Sequence, residues 1–175
     1  MWTHAKLLLS VTLTMFFYSC NDAYNKNVDN QKTGNSLRSN LIEKQIGKSN
    51  FYISLPPEYS IRQTKGPDFS VYYFTPTDTA VKANFAGGLY FGNFPHVFEP
   101  DGDSCKITTT NGNVLGKTAS WTVYNCNSEY TIQTIIDSKN GEERSQKIHV
   151  FGSAKSDINM KKIFYIYTTL RQVKK

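Results

Sequence analysis

From Asn50 onward, apolar and polar side chains alternate with a period of two, the pattern of half-buried strands. Phe51, Ile53 and Leu55 alternate with Tyr52 and Ser54 until Pro56 and Pro57 stop the run. Tyr59, Ile61 and Gln63 make a second run, closed by Lys65, Gly66 and Pro67. Phe69, Val71 and Tyr73 form a third, with Ser70, Tyr72 and Phe74 on the other parity, and Pro76 ends it. Further strands are predicted over Ala86–Gly92, Ser104–Thr110, Lys117–Cys126, Tyr130–Ile136 and Lys147–Phe151. Turns are expected at Asn111–Gly112–Asn113 and at Asn140–Gly141.

The period then changes. Met160, Ile163, Phe164, Tyr167 and Leu170 fall on one stripe of a helix over residues 157–171. Ser156 suits its N-cap, Asp157 its positive end, and Arg171, Lys174 and Lys175 its negative end. Leu37, Leu41 and Ile42 suggest a second, short helix over 36–46. The expected class is α+β: an antiparallel sheet of about seven strands with the C-terminal helix across one face. Trp121 is the expected sheet contact of Phe164.

The first 20 residues follow a different rule. Lys6 precedes an apolar run from Leu7 to Tyr18, interrupted only by Ser10, Thr12 and Thr14. A basic start and about a dozen apolar residues have the form of a secretory signal. The run is too short to span a bilayer, which takes roughly 20 residues. Phe17 is too large for an ordinary cleavage site. Phe17-Tyr18-Ser19-Cys20 instead resembles a relaxed bacterial lipobox. That resemblance implies removal of residues 1–19, a thioether-linked diacylglycerol on Cys20 and acylation of the new amino terminus. Several acyl chains on one residue hold far more strongly than one, at about 0.8 kcal/mol per buried methylene. Residues 21–35 hold five Asn and no apolar periodicity, as expected of a tether; with Cys20 they make the segment 20–35. Residues 36–175 are then a single domain.

Composition narrows the class. The 175-residue chain loses 19 residues with the leader, and the remaining 156 suffice for one domain with a core. Without Lys6, 19 bases face 14 acids, a net charge of +5, scattered rather than clustered. This argues against nucleic acid as a partner. With Cys20 assigned to lipid, Cys105 and Cys126 remain as an even pair in an oxidising compartment, which favours a disulfide. Parity raises a difficulty. If Ile107 and Trp121 both face the core, the two sulfurs lie on opposite faces unless a bulge intervenes.

Candidate chemistry is sparse. His96, Glu99, Asp101 and Asp103 fall within HVFEPDGDS, but the acids lack the spacing of a helix-flanked calcium loop. His149 alternates with Ile148 and Val150, so it points to their opposite face. No G-x-S-x-G element presents a nucleophile, and Gly87-Gly88 leads into no phosphate loop. Those glycines are expected to permit close packing. No cofactor or metal is predicted. Of 24 aromatic residues, 20 follow Cys20. Tyr72, Phe74, Tyr90 and Tyr124 carry the parity opposite to the expected core and would line a second face, covered by a helix or a partner.

Three segments in order resemble PsbP-like domains of the Mog-type fold: NFYISLPPEYSI, NGNVLGKTASWTV and IHVFGSAKSDINMKKIFYIYTTLR, spanning Asn50 to Arg171. The resemblance implies an antiparallel sheet flanked by helices and a non-catalytic binding or assembly role. The chain departs from the family between Thr75 and Phe85, where a helix would be usual. The function expected is therefore a lipid-anchored, non-catalytic binding or assembly domain of the bacterial cell envelope, on its periplasmic or surface side, with a protein partner there. An adaptor or chaperone for a secreted protein is one alternative. The other is a hydrolase with a site near His96 and Asp101–Asp103.

Overall fold

Alternation of side chains along the chain becomes ten strands, all paired antiparallel, in a computed structural model that describes residues 40–80, 82–100, 105–138 and 146–174. The apolar leader, Cys20, the polar segment after it, Asp101, Asp103 and the Asn140–Gly141 turn lie outside the described residues.

The strands are β1 (Ile42–Gln45), β2 (Phe51–Leu55), β3 (Tyr59–Lys65), β4 (Ser70–Pro76), β5 (Phe85–Gly92), β6 (Cys105–Val114), β7 (Lys117–Cys126), β8 (Glu129–Ser138), β9 (Gln146–Ala154) and β10 (Arg171–Gln172). The one helix among the described residues, α1 (Asp157–Thr168), joins β9 to β10. Seven strands form a sheet in the order β3-β4-β5-β9-β8-β7-β6, and β1-β2-β10 form a separate small sheet. The α+β class holds, but the strands divide between two sheets. The helix suggested over 36–46 is corrected at its described end, where Ile42–Gln45 is a strand zipped onto β2 with Ile42 opposite Leu55. Leu41 and Ile42 read as a helical stripe only because two apolar residues cannot distinguish the two periods.

Cross-strand partners share a face, so the registers sort the large sheet into two sides. The inner face carries Phe74, Leu89, Val150, Ile132, Val123 and Trp121, all buried. Against it pack Ile163, Ile166 and Tyr167 of α1 and Phe51, Ile53 and Leu55 of β2, forming one continuous core. The expected contact is present: the Trp121 and Phe164 rings meet edge-on with centroids 5.1 Å apart. Ser156 caps α1 by accepting from the Asn159 amide. The cations expected at the far end of the helix are not in its last turn. Arg171 lies beyond, in β10, where its guanidinium donates to both Glu43 oxygens at 2.7 and 2.8 Å and covers the Tyr52 ring.

Three more expectations are revised. The turn placed at Asn111–Asn113 lies inside β6. The chain reverses at Leu115 and Gly116, whose φ angles of 51° and 69° suit the right-handed twist of a two-residue hairpin. The parity assigned to β4 is inverted. Tyr72 and Phe74 face the core, while Val71 and Tyr73 face outward. VYYF is apolar at every position, so alternation could not choose a side. Finally, Ile107 is 60% exposed and turned away from the Trp121 face. Cys105 therefore sits directly opposite Cys126, with Cα atoms 4.4 Å apart, and the disulfide closes without a bulge.

The glycines permit close approach, as expected. A Cβ at Gly87 would lie 2.5 Å from the Tyr167 hydroxyl, and one at Gly88 would lie 2.6 Å from the Phe151 ring. One glycine admits a helix side chain on the inner face, and the next admits an aromatic ring on the outer face.

Candidate functional site

On the outer face, β4, β5, β9 and β8 present Tyr73, Tyr90, His149, Phe151 and Gln133 as near neighbours. Residues 93–100, between β5 and the β6 side of the sheet, cross over them. A pocket of about 440 Å³ opens there, bordered by Phe69, Tyr73, Tyr90, Phe94, Phe98 and Phe151, with His96, His149, Val71 and Asp68 completing the wall. That volume lies in the range of small-molecule sites.

Most of these rings touch another ring. Phe98 lies 5.3 Å from His149 and 5.2 Å from Phe151, and Phe151 meets Tyr73 edge-on at 6.1 Å. Phe69 stacks on Tyr90 at 5.6 Å, and the Tyr90 hydroxyl accepts from the Phe94 amide. These offset and edge-on arrangements suit aromatic quadrupoles. The crossing segment is latched by one buried side chain. The Phe98 amide donates to Gln133 Oε1 at 2.9 Å, and Gln133 Nε2 donates to the Phe98 carbonyl at 2.7 Å. Gln133 Nε2 also reaches the Tyr124 hydroxyl at 3.2 Å.

These backbone bonds fix the chemistry of His149. A peptide N–H can only donate and a peptide carbonyl can only accept, so Phe98 determines which end of the Gln133 amide is oxygen. That oxygen lies 3.0 Å from His149 Nε2. Nε2 must therefore carry the proton and donate, which leaves Nδ1 with a bare lone pair. No hydrogen bond reaches Nδ1 among the described residues. His149 is 2% exposed and borders the pocket. Burial, and secondarily the nearby His96, push its pKa down to about 4, so the ring is neutral at pH 7.

His96 is in the pocket wall, as a chemical reading of HVFEPDGDS would require, but Asp101 and Asp103 lie outside the described residues. Among the described residues no group of three His, Cys, Asp or Glu side chains could hold a metal ion. The second aromatic face exists with altered membership. Tyr90 and Tyr124 belong to it, Tyr72 and Phe74 do not, and Tyr73, Phe98 and Phe151 replace them. Gln133 was not singled out by the sequence. Its signal was an amide on the outward parity of a β-branched strand, flanked by Ile132 and Thr134. The disulfide lies on this same face but on the far strands β6 and β7.

No protein-family model matches the chain, and no curated protein matches it.

Proposed function

We propose that this chain is a lipid-anchored, non-catalytic binding domain of the bacterial cell envelope, PsbP-like in fold, with its ligand site in the outer-face pocket. One observation carries the binding role: an aromatic-walled pocket whose single buried polar group is a neutral histidine held by a backbone-fixed amide. Among the described lining residues no Ser, Thr, Cys or Lys offers a nucleophile, and the protonated nitrogen of His149 is committed to an amide rather than to a hydroxyl or thiol. The wall is suited to holding a molecule, not to attacking one. The anchor follows from the leader and Cys20. The family reading is supported by an antiparallel sheet covered on one face by a C-terminal helix, in the order of the three matching segments.

A second reading, an adaptor for a secreted protein, is favoured by the pocket rim. Nine large apolar side chains are exposed among the described residues. Six of them, Tyr73, Phe94, Val97, Phe98, Ile107 and Ile135, lie on the outer face or the segment crossing it. Clusters of this kind mark contact surfaces.

Two measurements test the proposal. Labelled fatty acid should enter the wild-type protein and not Cys20→Ser, and label retained by that variant contradicts the anchor. Native mass spectrometry of protein extracted gently from producing cells should show a small-molecule adduct. A protein partner in place of a small molecule would favour the adaptor.

A further inference from the structure

The pocket wall allows its ligand to be narrowed, on the reading that this pocket is the binding site. We propose that it takes an uncharged aromatic molecule that donates one N–H or O–H hydrogen bond to Nδ1 of His149.

The donor requirement comes from the tautomer. Phe98 orients Gln133, Gln133 Oε1 accepts from the Nε2–H of His149, and Nδ1 is left as an acceptor on a residue only 2% exposed. An acceptor in an apolar wall is costly to cover with a group that cannot donate. A ligand with an N–H or O–H at that point satisfies it, and a ligand of the same shape without one leaves it stranded.

The absence of ligand charge follows from the lining. Among the described residues no Lys or Arg borders the pocket, and the one carboxylate among them that does, Asp68, is exposed at the edge. An anion would find no counter-charge and would face Asp68. A cation would leave water for a wall of rings with only that outlying carboxylate to offset its desolvation. A neutral planar molecule loses least. The aromatic preference follows from the rings of Tyr73, Phe98 and Phe151 in the pocket wall, where Phe151 already meets both of the others edge-on and the same quadrupolar preference would hold a further ring. About 440 Å³ accommodates a fused two-ring system with room for substituents.

The test uses the full-length protein in detergent, labelled with ¹⁵N in its histidine rings, and three probes of one shape: indole, indene and indole-3-carboxylate. The His149 signals, assigned by their loss in His149→Phe, should show a protonated Nε2 and a bare Nδ1 before any probe is added. Indole should move Nδ1 toward the hydrogen-bonded range and bind roughly five- to tenfold more tightly than indene. Indole-3-carboxylate should bind more weakly than indole, and His149→Phe should bring indole and indene together. A bare Nε2 with a protonated Nδ1 would overturn the proposal. So would equal binding of indole and indene, or tightest binding of the carboxylate. In the last two cases the pocket still binds and only its proposed selectivity fails. If no probe moves the ring resonances of His149 or His96, both of which border the pocket, the proposal and the assignment of the pocket as the binding site fail together. If His149→Phe does not fold, His96→Gln identifies the other ring's signals and the wild-type ¹⁵N spectrum still decides the tautomer.

Discussion

Replacing Tyr167 by Phe removes one oxygen atom from the centre of the fold. Tyr167 is fully buried, and its hydroxyl accepts from the Gly88 amide at 3.0 Å and donates to the Phe151 carbonyl. Gly88 and Phe151 face each other across β5 and β9, so one helix hydroxyl bridges the two central strands of the large sheet. Burial pushes the phenol pKa above its ordinary value, so the group remains a donor at any working pH. In Tyr167→Phe the ring keeps its neighbours, Trp121 at 5.5 Å and Phe74 at 6.5 Å, so little apolar burial changes. What changes is that the buried Gly88 N–H and the buried Phe151 carbonyl each lose their hydrogen bond to the helix. At about 1 to 2 kcal/mol for each stranded group, the cost is about 2 to 4 kcal/mol. For a domain of this size that corresponds to a fall in Tm of roughly 6 to 15 °C. Thermal and urea unfolding of the variant should be compared with Tyr165→Phe, on the same helix. Gly87→Ala supplies an independent check, because its new methyl would sit where the hydroxyl is. Adding Tyr167→Phe to Gly87→Ala should cost less than the two changes separately, a coupling expected of groups in contact. A Tyr167→Phe protein within about 1 kcal/mol of wild type, or strict additivity with Gly87→Ala, would refute this account of how the helix is pinned.

Other predictions can be tested alongside. Phe164→Ala, which empties a half-buried site against Trp121, should cost about 2 to 3 kcal/mol in urea unfolding, at or below the lower end of fully buried Phe truncations. Non-reducing peptide mapping should recover Cys105 joined to Cys126, and replacing both with Ser should cost about 3 kcal/mol, the value for a loop of this length. Free thiols at both positions in native protein would contradict it. His149 titrates near 4 in the fold against 6.5 in the open chain, so the unfolded state takes the proton first. Its stabilising contribution is complete above pH 6.5 and is lost as the pH falls toward 4. Between pH 7 and 5 this amounts to roughly 2 kcal/mol, and His149→Gln should lack that part of the slope.

Most of the architecture was legible because it rests on local periodicity. Phe51, Ile53 and Leu55 alternate cleanly and are buried on one side, and the stripe from Met160 to Leu170 does form a helix face against Trp121. The reading failed where alternation carried no information. VYYF is apolar on both parities because that strand is covered on both faces, by the core and by the outer rings. The threonines of β6 concealed a strand running through Asn111–Asn113, because an edge strand with exposed side chains has no hydrophobic signal. The three-stranded sheet depends on Arg171 and Gln172 meeting Tyr52 and Phe51, a contact between distant parts of the chain that no local pattern encodes. The site was half legible. His149 showed its outward parity and Tyr90 and Tyr124 their second face. The role of Gln133 depends on where residues 93–100 cross the sheet, and that is a tertiary fact. Parity misjudged the disulfide because it assumed that Ile107, an isoleucine in a strand, had to be buried.

The pocket's assignment as the binding site is tested most directly by a photoreactive side chain placed at its mouth in producing cells. Phe94 is 80% exposed at the rim, and Ile158, 61% exposed on α1, serves as a control. With p-benzoylphenylalanine at position 94, irradiation should yield a discrete adduct recovered with the protein, absent when the same group stands at 158. A small-molecule mass on the position-94 peptide is the predicted result. Identical adducts from both positions, or none from position 94 at full incorporation, would contradict the assignment of the outer face as the binding site.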